Sequence, residues 1–497
     1  MDELMDTLKT KPARLSDHTL GTLPEAILRP TYDRQALTPG IVHIGLGNFH
    51  RAHQAWYLHR LMQQGLAKDW GIIGASVRHH DAAQRQALIE QDYLTTLVEL
   101  DPSGTSAEVV GSMIGYLPIE DGNAALISQL ADPAIRIASL TVTEGGYFLD
   151  PATKRFDASH PDILHDAQNL DAPRTAFGAI VAALRSRKNS GLGPFTCQSC
   201  DNLPGNGVIL KEVVTGLATL ADKALSEWIE GKVSFPNSMV DCIVPATGPS
   251  ELALAQKVGI SDQVPVTHEN FRQWVLEDDF CAGRPPWEKV GATFTDRVHD
   301  FEAMKLRLLN GTHQIIAAPA ELLGLHTIAQ TMESGAIKAF FRKVALSEIA
   351  PHVPTLPGMT PQQYVDLVDS RFSNPAIHDT VRRVAFDGAS RHTGAVLPVI
   401  RDAIAGNTAL DGLALSQALW AHMCAGLRQD GSEIEPNDPI WDQLTRAAQG
   451  GSTTWLGQGD LYGDIVEDDR YVSSFKTWFA RINEDGVEAS LNRYTSN

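Results

Sequence analysis

Apolar and polar residues are arranged along the first 290 residues in a pattern typical of alternating strands and helices. Short apolar runs bounded by Gly, Pro or polar residues predict strands. They are residues 41–47, 70–77, 93–100, 135–143, 195–200 and 239–244. Helical periodicity between them predicts helices at 176–188 and 208–225. Strands that alternate with helices indicate an α/β fold with a parallel sheet covered on both faces.

The pattern changes after about residue 290, where amphipathic helical segments follow one another. The predicted helices are residues 300–325, 332–350, 361–372, 375–388, 394–405 and 412–428. Residues 430–470 are rich in Gly and Asp and predict a loop-heavy region, followed by a last helix at 471–483 and a polar tail. A chain of 497 residues is too long for one ordinary core. We therefore predict two domains, residues 1–289 and a mostly helical part at 290–497.

Charge and composition exclude several classes of function. The chain has 41 Lys and Arg against 60 Asp and Glu, a net charge of −19. This balance disfavours nucleic acid and anionic membranes as partners, because phosphate neutralisation needs cations. No apolar run approaches the roughly 18–20 residues of a membrane span, and the N-terminus lacks the apolar stretch of a signal peptide. We therefore expect a cytoplasmic protein.

Cys197 and Cys200 form a lone CxxC, and without a second pair we expect no zinc site.

A glycine turn follows the first predicted strand. Gly45 and Gly47 stand between this strand and a predicted helix. A strand–Gly-x-Gly–helix unit can hold a pyrophosphate against backbone N–H groups. The turn also suits any α/β protein. His50 occupies the place of the usual third glycine, so we expect the helix and the strand to stand further apart. The candidate cofactor-binding residues in this turn are Gly45, Leu46, Gly47, Asn48 and Phe49.

An acidic residue after the second strand predicts a contact with the adenosine ribose. Asp81 is the candidate, and it favours NAD. Arg78 stands close to it and can tolerate a 2′-phosphate, so NADP stays the less favoured cofactor.

The segment "MKLRLLNGTHQ" places polar groups in an apolar helix. An α-helix advances about 100° per residue, so with Lys305 at zero His313 lies at about 80° and Asn310 at about 140°. The three groups can thus share one surface. Burial of a lysine lowers its pKa, and a lysine poised near neutrality can accept a proton. The alternative is an interface helix whose lysine reaches water.

Further polar residues follow other predicted strands. "SCDN" places Asp201 and Asn202 beyond one strand end, and "TVTEGGY" places Glu144 beyond another. Asp241 lies inside an apolar run, where an unpaired carboxylate is costly. A turn, a helix cap and a buried salt bridge are the local alternatives. Ligands of open α/β sheets bind at strand ends, which favours a shared site.

These motifs together resemble the polyol-specific long-chain dehydrogenases, the family that contains mannitol 2-dehydrogenase and the fructuronate and tagaturonate reductases. The resemblance covers about residues 40–430. It is carried by "GLGNFHRAHQ", "TVTEGGY", "SCDNLPGNG", "FPNSMVD", "QWVLEDDF", "GRPPWEKVG", "MKLRLLNGTH" and "RFSNPAIHDTVRRV". The fold implied is a Rossmann-type N-terminal domain and a largely helical C-terminal domain with the site between them. The family contains many monomers, and we expect a monomer or weak homo-oligomer.

The resemblance also implies roles for individual residues. The family's Lys-x4-Asn-x2-His falls on Lys305, Asn310 and His313, with the lysine as general base and no metal. Asn202 is implied to form an oxyanion hole with Asn310, and Glu144 to help the proton reach solvent. The implied substrate contacts are Asp241, Arg383 and Arg391.

Two departures from the family pattern concern the substrate. The family usually has Val-Asp-Arg at the strand that carries Asp241, and Cys242 replaces the Arg here. Arg391 stands where mannitol-type members carry a Lys, and Arg recognises planar partners better.

The function implied is the NAD-dependent interconversion of a polyol of the mannitol, arabinitol or glucitol type and its ketose. A hexuronate reductase is the alternative, since Arg382, Arg383 and Arg391 can bind a carboxylate. A nucleotide-binding protein without turnover is a remoter one.

Overall fold

The computed structural model describes residues 13–150 and 153–496, without the side chains of Ala13 and Glu144. The chain divides into two compact units between His299 and Asp300. Our boundary between residues 289 and 290 stays a prediction.

The first unit is built on a parallel five-stranded sheet. Its strands in chain order are β1 (Pro39–Ile44), β2 (Gly71–Ala75), β3 (Met113–Tyr116), β4 (Ile137–Leu140) and β5 (Thr196–Ser199). The strand order is β3-β2-β1-β4-β5, and every neighbouring pair is parallel. Both faces carry buried apolar side chains, such as Val42 and Ile41 of β1. The order reverses between β1 and β4, where an open α/β sheet forms its ligand crevice.

Helices cover both faces of this sheet, which confirms the predicted doubly wound α/β fold. The α-helices of the first unit are Asn48–Ala52, Gln54–Gln63, Ala82–Glu90, Ala124–Ala131, Pro161–Gln168, Ala176–Asn189, Asn206–Ala221, Lys223–Lys232 and Pro249–Lys257. Short 3₁₀ turns are Leu20–Thr22, Arg34–Ala36, His79–Asp81, Glu144–Tyr147 and Trp287–Val290. The single helix predicted at 208–225 is broken at Asp222, whose side chain accepts a hydrogen bond from the N–H of Ala224 and so begins a new helix.

Smaller sheets flank the main one. Strand Thr95–Asp101 pairs antiparallel with Gly104–Val110 and parallel with Val266–Glu269. The run predicted at 93–100 is therefore a strand, but it does not join the parallel sheet. The other pairings are Ala13–Arg14 with Ile260–Ser261, and Gln273–Leu276 with both Ser238–Asp241 and Thr293–Phe294.

The second unit is mostly helical, as predicted. Its α-helices, beginning at the boundary, are Val298–Met304, Gly311–Leu322, Ile328–Glu333, Gly335–Val344, Pro361–Phe372, Val381–Ala385, Gly388–Arg391, Leu397–Ala405, Asp411–Cys424, Trp441–Gln449, Ser452–Leu456, Gly459–Tyr462, Asp469–Asp485 and Val487–Ser496. Its π-helical segments are Lys305–Asn310, Ala345–Ile349 and His392–Val396. Its 3₁₀ turns are Ala350–His352 and Gly463–Glu467.

Three predictions for the C-terminal region are wrong. The helix predicted at 375–388 begins only at Val381 and ends at Ala385, because Thr380 caps it by accepting a hydrogen bond from the N–H of Arg383. Residues 430–470 contain helices rather than mainly loops, because Trp441, Leu444 and Ala448 form a buried stripe with helical spacing. Residues Val487–Ser496 form a helix rather than a polar tail. Its Val487, Leu491 and Tyr494 are buried.

Within the ranges that the structure describes, no helix combines the length and the apolar character required to cross a membrane.

Candidate active site

The two glycines of the turn after β1 have different physical roles. Gly45 has φ 93°, and a Cβ placed on it would lie 2.1 Å from the carbonyl oxygen of Thr141 at the end of β4. Only glycine allows this close approach of the two strand ends. A Cβ on Gly47 would meet nothing within 4 Å. The backbone of the turn is therefore open to a ligand at Gly47.

A cavity of about 180 Å³ lies at this point, entirely within the first unit. It is lined by Ile44, Gly45, Leu46, Gly47, Ser76, Val77, Arg78, Asp81, Gln84, Thr141, Val142 and Thr143. The structure thus brings Arg78 and Asp81 to the glycine turn, around the crevice where the strand order reverses.

The side chains of Asn48 and Phe49 have structural partners instead. The Asn48 amide donates to Pro245 O at 3.0 Å and Thr247 Oγ1 at 2.9 Å. Phe49 stacks on His53 with ring centroids 4.8 Å apart. Neither residue lines the cavity, so any cofactor contact at these positions falls to their backbone.

Asp81 is held at the end of β2 by its neighbours. Its carboxylate accepts a hydrogen bond from Ser76 Oγ, and His80 Nε2 lies 3.3 Å from the other oxygen. The Arg78 guanidinium donates to the Val142 carbonyl at 3.2 Å. A carboxylate at the second strand end and an open glycine turn fit the ribose and pyrophosphate of a dinucleotide.

The remaining predicted residues of the first unit lie at other strand ends. Asn202 is exposed just beyond β5, next to the buried Asp201. Asp241 ends strand Ser238–Asp241, is 5% exposed and pairs in register with Gln273. Glu144 begins the 3₁₀ turn after β4, and its side chain lies outside the described residues.

The segment Lys305–Asn310 of the second unit is π-helical, which corrects the α-helical angles expected for it. The N–H of Gly311 donates to the Leu306 carbonyl, five residues earlier. Asn310 follows Lys305 by one such turn, and His313 follows Asn310 by three residues of helix, so neighbouring groups still share a face. Lys305 is 9% exposed and does not extend into water, which argues against the interface-helix alternative.

His313 is a buried, neutral imidazole. Its ring stacks on Phe372 with centroids 3.9 Å apart. Burial lowers the pKa of His313 to about 3, with an opposing effect of Asp379 and further lowering by Arg383 and Arg391. Among the residues that the structure describes, none hydrogen-bonds to its Nε2. That atom can therefore serve a bound oxygen.

The predicted substrate residues Arg383 and Arg391 lie close enough to His313 to affect its charge. Both oxygens of Asp379 accept from Arg383, each at 2.6 Å, and this pair raises the pKa of Arg383. Arg391 donates to the Val384 carbonyl at 3.1 Å. The second unit thus gathers three arginines, Arg371, Arg383 and Arg391, close enough to the His313 ring to lower its pKa.

Several residues around these groups are absent from the sequence-based predictions. Ser76, Gln84 and Thr141–Thr143 line the cavity, and Asp379 holds Arg383. The position of "TVT" at a strand end was a usable signal for the cavity wall. No sequence signal indicated that Asp379 pairs with Arg383 four residues later, because charged pairs at this spacing are common on ordinary helices.

Family models match both units. Residues 39–289 match the mannitol dehydrogenase Rossmann domain, and residues 297–483 match the mannitol dehydrogenase C-terminal domain.

Individual proteins are similar over nearly the whole chain. A mannitol 2-dehydrogenase of Cereibacter sphaeroides is 51% identical, over 95% of this chain and 99% of its own. One of Aspergillus fumigatus is 37% identical, over 97% and 99%. The solved Pseudomonas fluorescens mannitol 2-dehydrogenase, in a ternary complex with NAD and D-mannitol, matches with a TM-score of 0.85 and 37% identity, over 98% and 100%. A substrate-free D-sorbitol dehydrogenase matches with a TM-score of 0.90 and 33% identity, over 96% and 100%.

Proposed function

We propose, because the chain belongs to the mannitol dehydrogenase family, that it is an NAD-dependent polyol dehydrogenase. It interconverts a sugar alcohol and its ketose, with D-mannitol as the first substrate to test. The observation that carries the proposal is the similarity over 98% of the chain to an enzyme solved with NAD and D-mannitol.

The first unit supplies the cofactor site. The open backbone at Gly47 receives the pyrophosphate, and Asp81 accepts hydrogen bonds from the adenosine ribose. The same carboxylate would repel a 2′-phosphate, which supports NAD over NADP. Bound NAD supplies the acceptor for the hydride that leaves the substrate carbon.

Lys305 is the proposed general base. A lysine that is 9% exposed has lost most of its water, and desolvation favours the neutral amine. In that form its Nζ accepts the proton of the substrate hydroxyl, while the reverse reaction returns it. Glu144 is proposed to pass this proton on to solvent.

Amide donors stabilise the oxygen as it gains negative charge. We assign this role to Asn202 and Asn310, since fixed donors lower the barrier most where charge develops. His313 holds the same oxygen through Nε2. Because the ring stays neutral down to about pH 3, it orients the substrate and does not carry the proton.

Asp241, Arg383 and Arg391 are the proposed contacts of the remaining hydroxyls. A carboxylate accepts hydrogen bonds from hydroxyl groups, and the guanidinium groups donate to their oxygens. The hexuronate alternative is less favoured, because the similar proteins named above act on mannitol or sorbitol. The presence of Lys305 and its partner amides argues against a nucleotide-binding protein without turnover.

The test is the initial rate of NADH formation with the purified chain. The panel is mannitol, arabinitol, glucitol and xylitol with NAD and with NADP, and fructuronate with the reduced cofactors. We expect the highest kcat/KM with NAD and a polyol. Activity with fructuronate alone would support the reductase, and no activity with any pair would contradict the proposal. The cytoplasmic location and the oligomeric state stay predictions, which cell fractionation and light scattering test.

A further inference from the structure

Asp201 binds the loop that follows the neighbouring strand. It comes two residues after the end of β5 and is 6% exposed. One carboxylate oxygen accepts the N–H of Thr143 at 2.8 Å. The other accepts the N–H of Val142 at 3.1 Å and the hydroxyl of Tyr147 at 2.7 Å. A single carboxylate thus joins the ends of β4 and β5.

The backbone that Asp201 holds is strained. Thr143 has φ 67° and ψ 163°, a conformation that β-branched residues rarely adopt. Such a conformation is energetically unfavourable and persists only where surrounding contacts enforce it. The bond from its N–H to Asp201 is one such contact, and the bond from Gly146 N to its carbonyl, at 3.0 Å, is another.

The held residues form one wall of the cofactor cavity. Thr141, Val142 and Thr143 line it opposite the glycine turn. If Thr143 relaxed to negative φ, the chain direction would change at this wall.

Asp201 is itself fixed at both ends. Its N–H donates to Ser199 Oγ at 3.2 Å, and its carbonyl accepts from Asn206 Nδ2 at 3.0 Å. Asn206 is fully buried and also exchanges hydrogen bonds with the backbone of Ser238. The carboxylate is therefore a rigid reference point for the loop.

We propose that Asp201 is a positioning residue for cofactor binding, which keeps Val142 and strained Thr143 in the conformation that NAD requires. The inference rests on the proposed function. Asp201 does not touch the reacting atoms, and its effect reaches the cofactor through the loop.

The substitution Asp201→Asn tests this with almost no change of shape. In either orientation of the new amide, its NH2 group faces the N–H of Thr143 or that of Val142. The substitution thereby replaces a charged acceptor with an NH2 donor that faces a backbone N–H donor. Because the substitution removes a hydrogen bond to a charged group and sets two donors against each other, we expect NADH to bind about tenfold or more weakly, with a raised KM for NAD. NADH binding is measured by fluorescence titration of the full chain.

Asp166 offers a matched control. It is fully buried, and its carboxylate also accepts two backbone N–H groups, of Arg174 and Thr175, and one hydroxyl, of Thr175. It does not line the cavity. We expect Asp166→Asn to lower the melting temperature about as much as Asp201→Asn does, and to leave the affinity for NADH unchanged.

A rescue separates loop strain from general damage. Glycine adopts φ 67° without steric cost, so Thr143→Gly added to Asp201→Asn should restore most of the affinity for NADH. If the double variant binds as weakly as the single one, the held conformation is not the cause and the proposal fails.

If Asp201→Asn does not fold, the variant Tyr147→Phe serves as the test in its place. This variant removes the one hydroxyl that donates to Asp201. We expect NADH to bind about threefold more weakly in that variant. Affinity within twofold of the wild type in every folded variant overturns the inference. A wild-type chain that does not bind NADH at all overturns the proposed function instead, and the inference falls with it.

Discussion

The imidazole rings of His43 and His50 stack in the interior of the first unit, with centroids 3.4 Å apart and planes inclined by 14°. His43 lies on β1, and His50 occupies the place of the third glycine on the helix that follows. The two rings fill the interface between strand and helix. Burial lowers the pKa of His43 to about 3 and that of His50 well below its usual value, so neutral rings are in contact.

Both ring nitrogens of His43 lie within hydrogen-bond distance of a hydroxyl group. Nε2 lies 2.9 Å from Thr141 Oγ1, which donates to the carbonyl of Gly45 at 2.5 Å. Nδ1 lies 2.8 Å from Ser139 Oγ, which donates to Gln54 Oε1 at 2.9 Å. His43 thus supports the contact between the glycine turn and β4.

The two histidines should respond differently to replacement by phenylalanine. His43→Phe removes one hydrogen-bond partner from each of the hydroxyls of Thr141 and Ser139, which keep the Gly45 carbonyl and Gln54 Oε1. We expect a loss of about 2 kcal/mol in the free energy of unfolding. Neither nitrogen of His50 has a hydrogen-bond partner in the described part of the chain, so His50→Phe should change it by about 1 kcal/mol or less. Urea denaturation of both variants measures the difference, and equal losses would refute this account of the pair.

Asp81 should determine the choice of cofactor. Replacing it by serine removes the carboxylate that we propose accepts hydrogen bonds from the ribose and repels a 2′-phosphate. The value of kcat/KM should then fall for NAD and rise for NADP, with a change of about tenfold in their ratio. Asp121, a fully exposed carboxylate that pairs with the exposed His79, is the control. Asp121→Ser should leave the ratio unchanged. A ratio unaffected by Asp81→Ser would remove this residue from the cofactor site.

The apolar runs predicted the parallel strands because a strand buried on both faces is apolar throughout. The strand Met113–Tyr116 was missed, since it is short and interrupted by Gly115. The runs at 93–100 and 239–244 are also strands, but they lie outside the parallel sheet. The first pairs with Gly104–Val110 and Val266–Glu269, and the second pairs with Gln273–Leu276. The apolar composition of a segment indicates that it is buried. Its partners in a sheet are distant in sequence, so the composition does not indicate which strands pair.

A candidate site can be proposed from the sequence where a motif has set residue types at a fixed spacing, as in Lys305, Asn310 and His313, and these roles stay predictions. The π-helical turn was not predictable, because the extra residue per turn has no marker in the apolar pattern. The sequence indicates only that Asp201 is a polar residue beyond the end of a predicted strand. Its bonds to Val142 and Thr143 depend on two strands being adjacent, which the sequence alone does not specify.

Acid should destabilise the protein below about pH 6.5. Burial lowers the pKa of His43, His268, His313 and His392 to about 3. Each is neutral in the folded state and takes up a proton near pH 6.5 in the unfolded state. The unfolded state therefore binds more protons than the folded state between about pH 3 and about pH 6.5. The free energy of unfolding therefore decreases as the pH is lowered, by about 2 kcal/mol for each of these histidines between pH 6.5 and pH 5.

Urea denaturation at pH 7.5 and at pH 5 measures this loss. The variant His50→Phe lacks one buried histidine and should lose less stability between the two conditions than the wild type. Equal stability of the wild type at both pH values would show that these rings are not held neutral.

The central claim is that Lys305 accepts the hydroxyl proton of a polyol, and the variant Lys305→Ala tests it most directly. Its control is Lys338→Ala, which removes a half-exposed lysine paired with Asp369 in the same unit and should keep full activity. The measurement is kcat for mannitol and NAD, together with NADH affinity from fluorescence titration. The account predicts a loss of about 10²-fold or more in kcat for Lys305→Ala, with NADH affinity unchanged. A Lys305→Ala enzyme that turns over mannitol at the wild-type rate would contradict it.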